Sequence, residues 1–306
     1  MKTFLPKKIR KNYALRNALT AYSSLKIHRL FTFILFFVFC GNQLVQGQRM
    51  QKLPGPIIVC PANYEDQNSR MAMAQMAEIE SPFALGRAAA SAELLVTYGP
   101  AAQANPEVVA AFQFALDIWS EEIISTVPIR IYAEFADLGP GVLASAGPTS
   151  IFSDFEGAPK PGVFYPAALA NALAGVDLDP DEEFDLVVNL GNGIPWYFGT
   201  DGNTPAGFFD FVTVALHEAG HGLGFVDGGN VDANGVGSLG FDGGIPIIFD
   251  TFIVDGSGNS VLDLPNPSQE LGDFFTSGNV FVNGSFAVAA LGGTLPELYA
   301  PNPFQG

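Results

Sequence analysis

Residues 214–227 read VALHEAGHGLGFVD, and the interpretation of the whole chain starts from this stretch. It contains an H-E-x-x-H motif, in which His217 and His221 are four residues apart. On a helix this spacing places both imidazoles on one face, about 6 Å apart at Cβ, where they can share one metal ion. Zinc binds imidazole nitrogen at about 2.0–2.1 Å, and a catalytic zinc site takes three protein ligands and leaves a fourth position to water. The motif therefore predicts two ligands of a zinc site on a helix.

Glu218 follows the first histidine by one residue, so its side chain points away from the ligand face. Its expected role is general base: zinc lowers the pKa of its bound water to about 7, and the carboxylate takes the proton as the hydroxide attacks a peptide carbonyl. The alternative is a chance match on a buried helix. The histidine count argues against chance, because the chain has three histidines and the third, His28, lies in a segment predicted below to be removed.

The same stretch is rich in glycine, at Gly220, Gly222 and Gly224. Inside a helix each glycine costs about 1 kcal/mol relative to alanine, unless backbone must pass close by or turn. Gly224 is predicted to end the helix in a left-handed conformation. That turn would swing the chain back under the metal and bring Asp227 round as a third zinc ligand. The alternative role for Asp227 is to cap a turn with the two glycines that follow it.

The motif resembles the signature of the metzincin zinc endopeptidases, H-E-x-x-H-x-x-G-x-x-H. The matching positions are His217, Glu218, His221 and Gly224. Asp227 stands where the signature has its last histidine, and zinc accepts carboxylate oxygen at a similar distance. The resemblance implies a zinc endopeptidase acting on protein or peptide substrates. It also implies an α+β catalytic domain with a twisted, mostly parallel sheet, a long N-terminal helix and an active-site helix that carries the motif.

Residues 221–225, HGLGF, also resemble the leishmanolysin-type branch, in which the third histidine lies downstream of an insertion and is followed by the methionine of the Met-turn. The chain departs from both patterns, because no histidine follows His221. All methionines precede the motif, at Met1, Met50, Met71, Met73 and Met76. We therefore expect a fragment that ends before the Met-turn, with Asp227 and a missing downstream histidine as competing third ligands.

The N-terminal segment has the pattern of a signal peptide. Residues 1–29 carry eight Lys or Arg and no acidic residue, and residues 30–40 are almost wholly apolar. Small residues at 45–47 offer a cleavage point, so residues 1–47 are predicted to be removed. The apolar run is too short for a confident transmembrane helix, so no stable membrane span is expected after signal removal. The prediction is a secreted or extracellular protein, with cell-surface anchoring as the alternative.

Loss of residues 1–47 makes the charge strongly acidic. Eight of the 14 basic residues leave and none of the 31 acidic ones do, so six basic residues remain and the net charge falls from −17 to −25. Such a charge repels phosphate backbones and argues against nucleic acid as a partner. It favours solubility and cation binding.

Residues 48–91 are predicted to be a poorly structured leader or propeptide-like segment, and residues 92–306 the catalytic domain, incomplete at its C-terminus. Cys60, in the leader, is the only cysteine once residues 1–47 are gone. The metzincin resemblance implies one role for it, since secreted members often hold a propeptide cysteine on the zinc as an inhibitory thiolate. Its neighbours match no known switch sequence. An incidental thiol, or one whose partner lies beyond the chain's end, is the alternative.

The start of the predicted domain has the pattern strand, helix, strand, which predicts a crossover onto a parallel sheet. Residues 93–98 and 127–135 have strand composition, and residues 105–107, Asn-Pro-Glu, open a helix with an N-cap and a proline at its first position. Residues 184–190 predict a further strand. Asp210 is the candidate N-cap of the zinc helix.

Residues 177–183, DLDPDEE, place carboxylates at alternating positions, and calcium binds such hard oxygen ligands. No glycine stands at the turn position of an EF-hand, and a solvated acidic loop is the alternative. Calcium is therefore a second candidate cofactor beside zinc.

Together these features predict a secreted zinc-dependent endopeptidase that hydrolyses peptide bonds through a zinc-bound water, with Glu218 as general base. The alternative is a catalytically incomplete or degenerate metallopeptidase that serves as a secreted binding or adhesion module, which the missing Met-turn favours. Retention of Glu218 argues against that alternative, because a purely structural zinc site needs no base.

Overall fold

The computed structural model describes residues 49–61 and 92–300. The predicted signal peptide, residues 1–47, lies outside the described residues, as do residues 62–91 of the predicted leader. The first strands are β1 (Gln51–Pro54), β2 (Ile58–Pro61), β3 (Leu94–Tyr98), β4 (Ile129–Ala136), β5 (Val142–Pro148), β6 (Ser150–Ser153), β7 (Tyr165–Pro166) and β8 (Leu186–Gly191). The later strands are β9 (Trp196–Tyr197), β10 (Phe209–Asp210), β11 (Gly229–Val231), β12 (Gly237–Leu239), β13 (Ile253–Asp255) and β14 (Val280–Val282).

The helices alternate with these strands, so the chain is a mixed α and β protein. They are α1 (Pro100–Gln103), α2 (Pro106–Glu122), α3 (Ala167–Ala174), α4 (Phe211–Leu223), α5 (Gln269–Phe275) and α6 (Ser285–Ala290). Two short 3-10 helices, Ile248–Phe252 and Val261–Asp263, lie beyond the H-E-x-x-H motif. No described helix combines the length and the apolar character needed to cross a bilayer.

The main sheet has five strands in the order β2-β5-β8-β4-β3. The pairs β3 with β4 and β4 with β8 are parallel, whereas β5 with β8 and β2 with β5 are antiparallel. The expected mostly parallel sheet is thus mixed. The reason lies in the connection from β4 to β5, residues 137–141, which is too short for a crossover, so that β5 runs back in the opposite direction.

Helix α2 forms the predicted crossover between the parallel strands β3 and β4. The side chain of Asn105 caps its N-terminus by accepting the backbone N–H of Glu107 at 3.1 Å, and Pro106 takes the first helical position. Val108, Phe112 and Leu116 recur at helical spacing and are buried in the main core. The predicted helix and the strand on either side of it are confirmed.

Helix α4 carries the H-E-x-x-H motif and packs against α2, β5 and β8. Asp210 caps it as predicted, because its carboxylate accepts the Thr213 N–H at 2.8 Å. Within the helix, Gly222 has a packing role: a Cβ there would lie 2.7 Å from the Leu186 Cβ on β8, too close for any real side chain. This glycine lets the motif helix lie directly on the sheet.

The prediction of a poorly structured leader is wrong for its described part. Residues 51–54 form β1, which pairs antiparallel with β6 in a separate three-stranded sheet, and residues 58–61 form β2 at the edge of the main sheet. The backbone N–H and C=O groups of this short segment pair with those of β6 and β5. We call residues 51–61 the strap.

The chain beyond the motif builds its own apolar cluster from β12, β13, β14 and α5. Its buried members are Leu239, Ile253, Val261, Leu271, Val280 and Ala300. A further cluster, made by Ile151, Phe164, Val226 and Ile247, joins this part of the chain to β6 and to the residues that follow α4. We call this second group the Val226 cluster.

Candidate metal centre

His217 and His221 lie on one face of α4, as the motif predicts. Their rings are nearly perpendicular, at 88°, with centroids 4.6 Å apart, and the two Nε2 atoms are 3.0 Å apart. A hydrogen bond between the two Nε2 atoms requires a proton on one of them. A shared cation would instead be bound by the lone pairs of both. The helix therefore presents two nitrogen donors toward one point.

Cys60 of the strap supplies a third donor at the same point. Its Sγ lies 3.5 Å from the Nε2 of His217 and 3.8 Å from the Nε2 of His221. Among the described residues, this is the group of three or more metal-binding side chains whose donor atoms all lie within 4.8 Å of one another. Cys60, which lies 157 residues before His217 in the sequence, thus adds a third donor to the two histidines.

The spacing and the chemistry of these donors match a tetrahedral zinc site. Bonds of about 2.0 Å to nitrogen and about 2.3 Å to sulfur place two nitrogens about 3.3 Å apart, and nitrogen and sulfur about 3.5 Å apart. The separations of 3.0, 3.5 and 3.8 Å fall around these values. Imidazole and thiolate ligands also favour the binding of zinc over that of magnesium or calcium. The three side chains therefore fit zinc in both size and donor type.

The orientation of His221 is fixed by the backbone. Its Nδ1 lies 2.7 Å from the carbonyl oxygen of Phe225. A carbonyl oxygen only accepts, so Nδ1 carries the proton and Nε2 keeps its lone pair directed at the cluster. Phe225 is in place because the chain turns at Gly224, whose φ is +138°. The predicted turn after α4 thus holds His221 in the tautomer whose Nε2 lone pair is free.

The surroundings favour the neutral form of both imidazoles. Loss of hydration lowers the pKa of His217, with His221 nearby as the second cause, although by surface area the residue as a whole is exposed. Burial also lowers the pKa of His221. Because a metal binds only the neutral imidazole, the histidines are ready to bind without first losing a proton.

Glu218 is fully buried beside this cluster, and neither of its carboxylate oxygens has a hydrogen-bond partner among the described residues. Burial raises its pKa to about 7. Buried carboxylates are normally paired or hydrogen-bonded, so an unpartnered one at 0% exposure is unusual. A cation held by the adjacent histidines would compensate its charge.

The thiol of Cys60 is shielded by the same surroundings. Burial raises its pKa, and the neighbouring Glu218 carboxylate raises it further. Glu218 is near enough to affect the thiol electrostatically, while the geometry leaves its oxygens without a hydrogen bond. Binding to a divalent cation is the condition that would turn this thiol into a thiolate.

Asp227, the predicted third ligand, is not brought into the cluster. Its Oδ1 accepts the backbone N–H of Gly229 at 2.7 Å, which is the turn-capping role that the sequence offered as the alternative. The turn at Gly224 does reverse the chain, but it directs the Phe225 carbonyl, rather than the Asp227 carboxylate, toward the histidines. Asp227 as a ligand stays a prediction for other states of the chain.

The acidic loop of residues 177–183, for which the sequence offered a calcium site or a solvated loop, contacts basic side chains. Asp177 pairs with Arg130 at 2.9 Å, and Asp179 forms an ion pair with Lys52 of the strap. Within the described ranges the loop contributes no group of three clustered metal-binding side chains. The geometry of the loop adds no support to the hypothesis that it binds calcium.

Comparison with known proteins adds no family to this description. The sequence matches no protein-family model, and searches of curated proteins and of solved structures find no similar protein. The argument for function therefore rests on the residues of the cluster and their surroundings.

Cys60 is the member of the cluster for which the sequence leaves two roles open. The resemblance implies an inhibitory thiolate on the zinc, and an incidental thiol is the alternative. The residues around it contained a further signal, because IIVCP, residues 57–61, has the apolar composition of a short strand. That signal predicts a strand but not its pairing partner, and the pairing with β5 is what carries Cys60 to the histidines.

Proposed function

We propose that this chain is a secreted zinc-dependent endopeptidase, and that the described state is its resting form, with Cys60 beside His217 and His221 as third ligand. The observation that carries the proposal is the fully buried carboxyl group of Glu218, which has no geometric hydrogen-bond partner and lies next to two imidazoles and a thiol. A structural zinc site has no use for such a carboxylate, whereas peptide hydrolysis needs one.

The residues divide the work as follows. His217 and His221 would hold the metal, and the Phe225 carbonyl keeps His221 oriented. Zinc, when bound, polarises a peptide carbonyl and acidifies a water molecule. Glu218 accepts the proton of the attacking water and delivers it to the nitrogen of the leaving amine, which breaks the peptide bond. Its burial keeps bulk water from competing for that proton.

Cys60 occupies the position that water and substrate must reach in this reaction. Its sulfur lies within 3.8 Å of both ligand nitrogens, so a water molecule and a substrate carbonyl cannot reach the same point while it is there. Activity therefore requires the strap to withdraw. The predicted secretion is consistent with a strap that is moved or cut free after export.

A second candidate function follows from the position of Asp227 outside the cluster. If no other residue replaces Cys60 as third ligand, the site holds two histidines only, and the chain is a catalytically incomplete metallopeptidase that acts as a secreted binding or adhesion module. Activity after removal of the Cys60 thiol distinguishes the two candidates.

The experiment compares the chain from residue 48 onward as wild type, Cys60→Ala and the double variant Cys60→Ala with Glu218→Gln. Zinc per chain is measured by elemental analysis, and casein hydrolysis is measured with and without a chelator. We expect one zinc per wild-type chain and chelator-sensitive hydrolysis by Cys60→Ala. The double variant should keep its metal and lose hydrolysis, because glutamine preserves the shape of Glu218 without its basicity.

Zinc binding without hydrolysis by Cys60→Ala would favour the binding module. Absence of zinc from the wild-type chain at saturating metal would contradict both candidates.

A further inference from the structure

Trp119 on α2 contacts the motif helix next to its first histidine. The indole Nε1–H donates to the carbonyl oxygen of Leu216 at 3.0 Å, and Leu216 directly precedes His217 in α4. The two bonded residues lie 97 positions apart in sequence, so the bond joins two separate helices. Trp119 is itself half-buried and packs against the main core. The bond therefore fixes the backbone of α4 relative to α2 where the H-E-x-x-H motif begins.

The same indole contacts Phe225, beyond the other end of α4. The ring centroids of Trp119 and Phe225 are 6.1 Å apart, and the Phe249 ring lies 5.9 Å from that of Phe225 on the same measure. Aromatic rings at these separations attract each other. Because 56% of Phe225 is exposed, these ring contacts, rather than full burial, hold its side chain in place.

Gly220, which lies between the two histidines in sequence, is covered by both rings. A Cβ at this position would lie 3.4 Å from the Trp119 Cζ2 and 3.8 Å from the Phe225 Cδ2. The two rings thus lie against the backbone of α4 itself. The Gly220 carbonyl also accepts the Phe225 N–H at 3.0 Å, so the ring and the backbone of Phe225 are fixed to the same turn of the helix.

These contacts determine where the Phe225 carbonyl points. Its oxygen lies 2.7 Å from the Nδ1 of His221 and keeps the proton on that nitrogen, which leaves the Nε2 lone pair free for a metal. A rotation of the Phe225 backbone would remove this acceptor, and His221 could then carry its proton on Nε2. Trp119 thus acts on the two histidines through Leu216 and Phe225.

We propose that Trp119 is a positioning residue for the candidate metal centre. Its N–H holds the backbone before His217, and its ring holds Phe225 so that the carbonyl stays on the Nδ1 of His221. The inference rests on the proposed function for its role in catalysis, but the tautomer of His221 depends on Trp119 whether or not a metal is bound. Replacing a residue that orients a metal ligand typically costs about 10–100-fold in metal affinity or activity.

The test compares Trp119→Leu with Trp196→Leu in the chain from residue 48 onward, which contains every described residue. Trp196 is the other tryptophan of the chain and gives a matched control. Its indole N–H likewise donates to a backbone carbonyl, that of Gly191 at 2.7 Å, and the Phe211 ring centroid lies 5.2 Å from its own. Loss of either indole therefore removes similar contacts from the fold.

The deciding measurement is the tautomer of His221, determined from the nitrogen-15 chemical shifts of its ring at pH 7 after a chelator has removed any metal. This chain has two histidines, and a His217→Gln variant assigns their signals. We expect the Nδ1–H form in wild type and in Trp196→Leu, and a mixture of both tautomers in Trp119→Leu.

Phe225→Ala covers the case in which Trp119→Leu does not fold. It keeps the backbone carbonyl but removes the ring that Trp119 contacts, and the exposed position of this side chain favours a folded variant. It should show the same mixture of tautomers as Trp119→Leu.

Zinc affinity is measured by competition with a chromophoric chelator. It should fall about tenfold or more in Trp119→Leu and stay within about twofold of wild type in Trp196→Leu. A His221 tautomer unchanged in both Trp119→Leu and Phe225→Ala would overturn the proposal. An equal change in Trp196→Leu would overturn it as well, because Trp119 would then act through the stability of the fold alone.

Zinc binding and casein hydrolysis by wild type separate this inference from the proposed function. Zinc and hydrolysis with a His221 tautomer that does not depend on Trp119 would leave a peptidase and overturn the positioning role. A tautomer that depends on Trp119, without zinc or hydrolysis, would support the positioning role and contradict the peptidase.

Discussion

Replacement of Cys60 by alanine gives a direct measure of the metal centre. In the structure its Sγ lies 3.5 and 3.8 Å from the two Nε2 atoms, so one of three donors is lost and the histidine pair is left in place. Zinc binding to sites with four protein ligands releases about 10–16 kcal/mol, which is about 3 kcal/mol for each ligand. Cys60→Ala should therefore weaken zinc binding about 100-fold.

The assay is competition for zinc against a chromophoric chelator at pH 7, with wild type, Cys60→Ala and the control Val59→Ala. The control removes an exposed side chain from the same strand and should leave zinc affinity within about twofold of wild type. Cobalt serves as a spectroscopic substitute, because a thiolate ligand adds a sulfur-to-metal absorption band that should be present in wild type and absent in Cys60→Ala.

Equal zinc affinities for wild type and Cys60→Ala would refute the assignment of Cys60 as a ligand, and so would a cobalt spectrum without the thiolate band in wild type. The histidines would then hold the metal without the strap, and the nearness of the thiol would have no bearing on the metal centre.

Three further substitutions test the surroundings, each by urea unfolding. Gly222→Ala should destabilise the chain by about 1–3 kcal/mol, because its Cβ would lie 2.7 Å from Leu186. Asp210→Ala should cost about 1 kcal/mol, because the Thr213 N–H at the start of α4 loses its acceptor. Burial raises the pKa of Asp250 to about 7, so only the folded chain holds that proton between about pH 4 and 7. As the pH rises through this window, the free energy of unfolding of wild type, relative to that of Asp250→Asn, should therefore fall by about 1 kcal/mol per pH unit.

Each of these predictions has a clear counter-result. Gly220→Ala is the matched control for the first, because a Cβ there would lie 3.4 Å from Trp119, an ordinary contact. Equal stability of the two alanine variants would contradict the close approach of α4 to β8. Unchanged stability of Asp210→Ala would contradict the cap. Parallel pH profiles for wild type and Asp250→Asn would show that the Asp250 carboxyl is ionised in the folded chain.

Local patterns predicted the elements that depend on local interactions. The N-cap and proline that open α2, the cap at Asp210 and the end of α4 at Gly224 all follow from side chains within a few residues of each other. The same holds for the two histidines, whose relation is set by one helical turn. Helix position and ligand spacing were therefore available from the sequence.

Contacts between distant parts of the chain could not be predicted from local sequence patterns. The strap was predicted to be poorly structured, because the sequence of its eleven residues does not show which strands they pair with. Its strands exist because β5 and β6 offer open edges, and those edges arise from the mixed order of strands, which the sequence did not predict. For the same reason the sequence left Cys60 open between an inhibitory thiolate on the zinc, as the resemblance implies, and an incidental thiol.

The strap belongs to the same chain as the edge that it covers, so its local concentration at β5 does not change when the protein is diluted. An intact chain would therefore keep Cys60 at the histidines at any protein concentration. A single cut within residues 62–91 would leave the contacts between the strap and residues 92–300 in place, yet the strap would then be part of a separate peptide. Its occupancy would fall as the concentration falls, so that dilution after the cut would uncover His217 and His221.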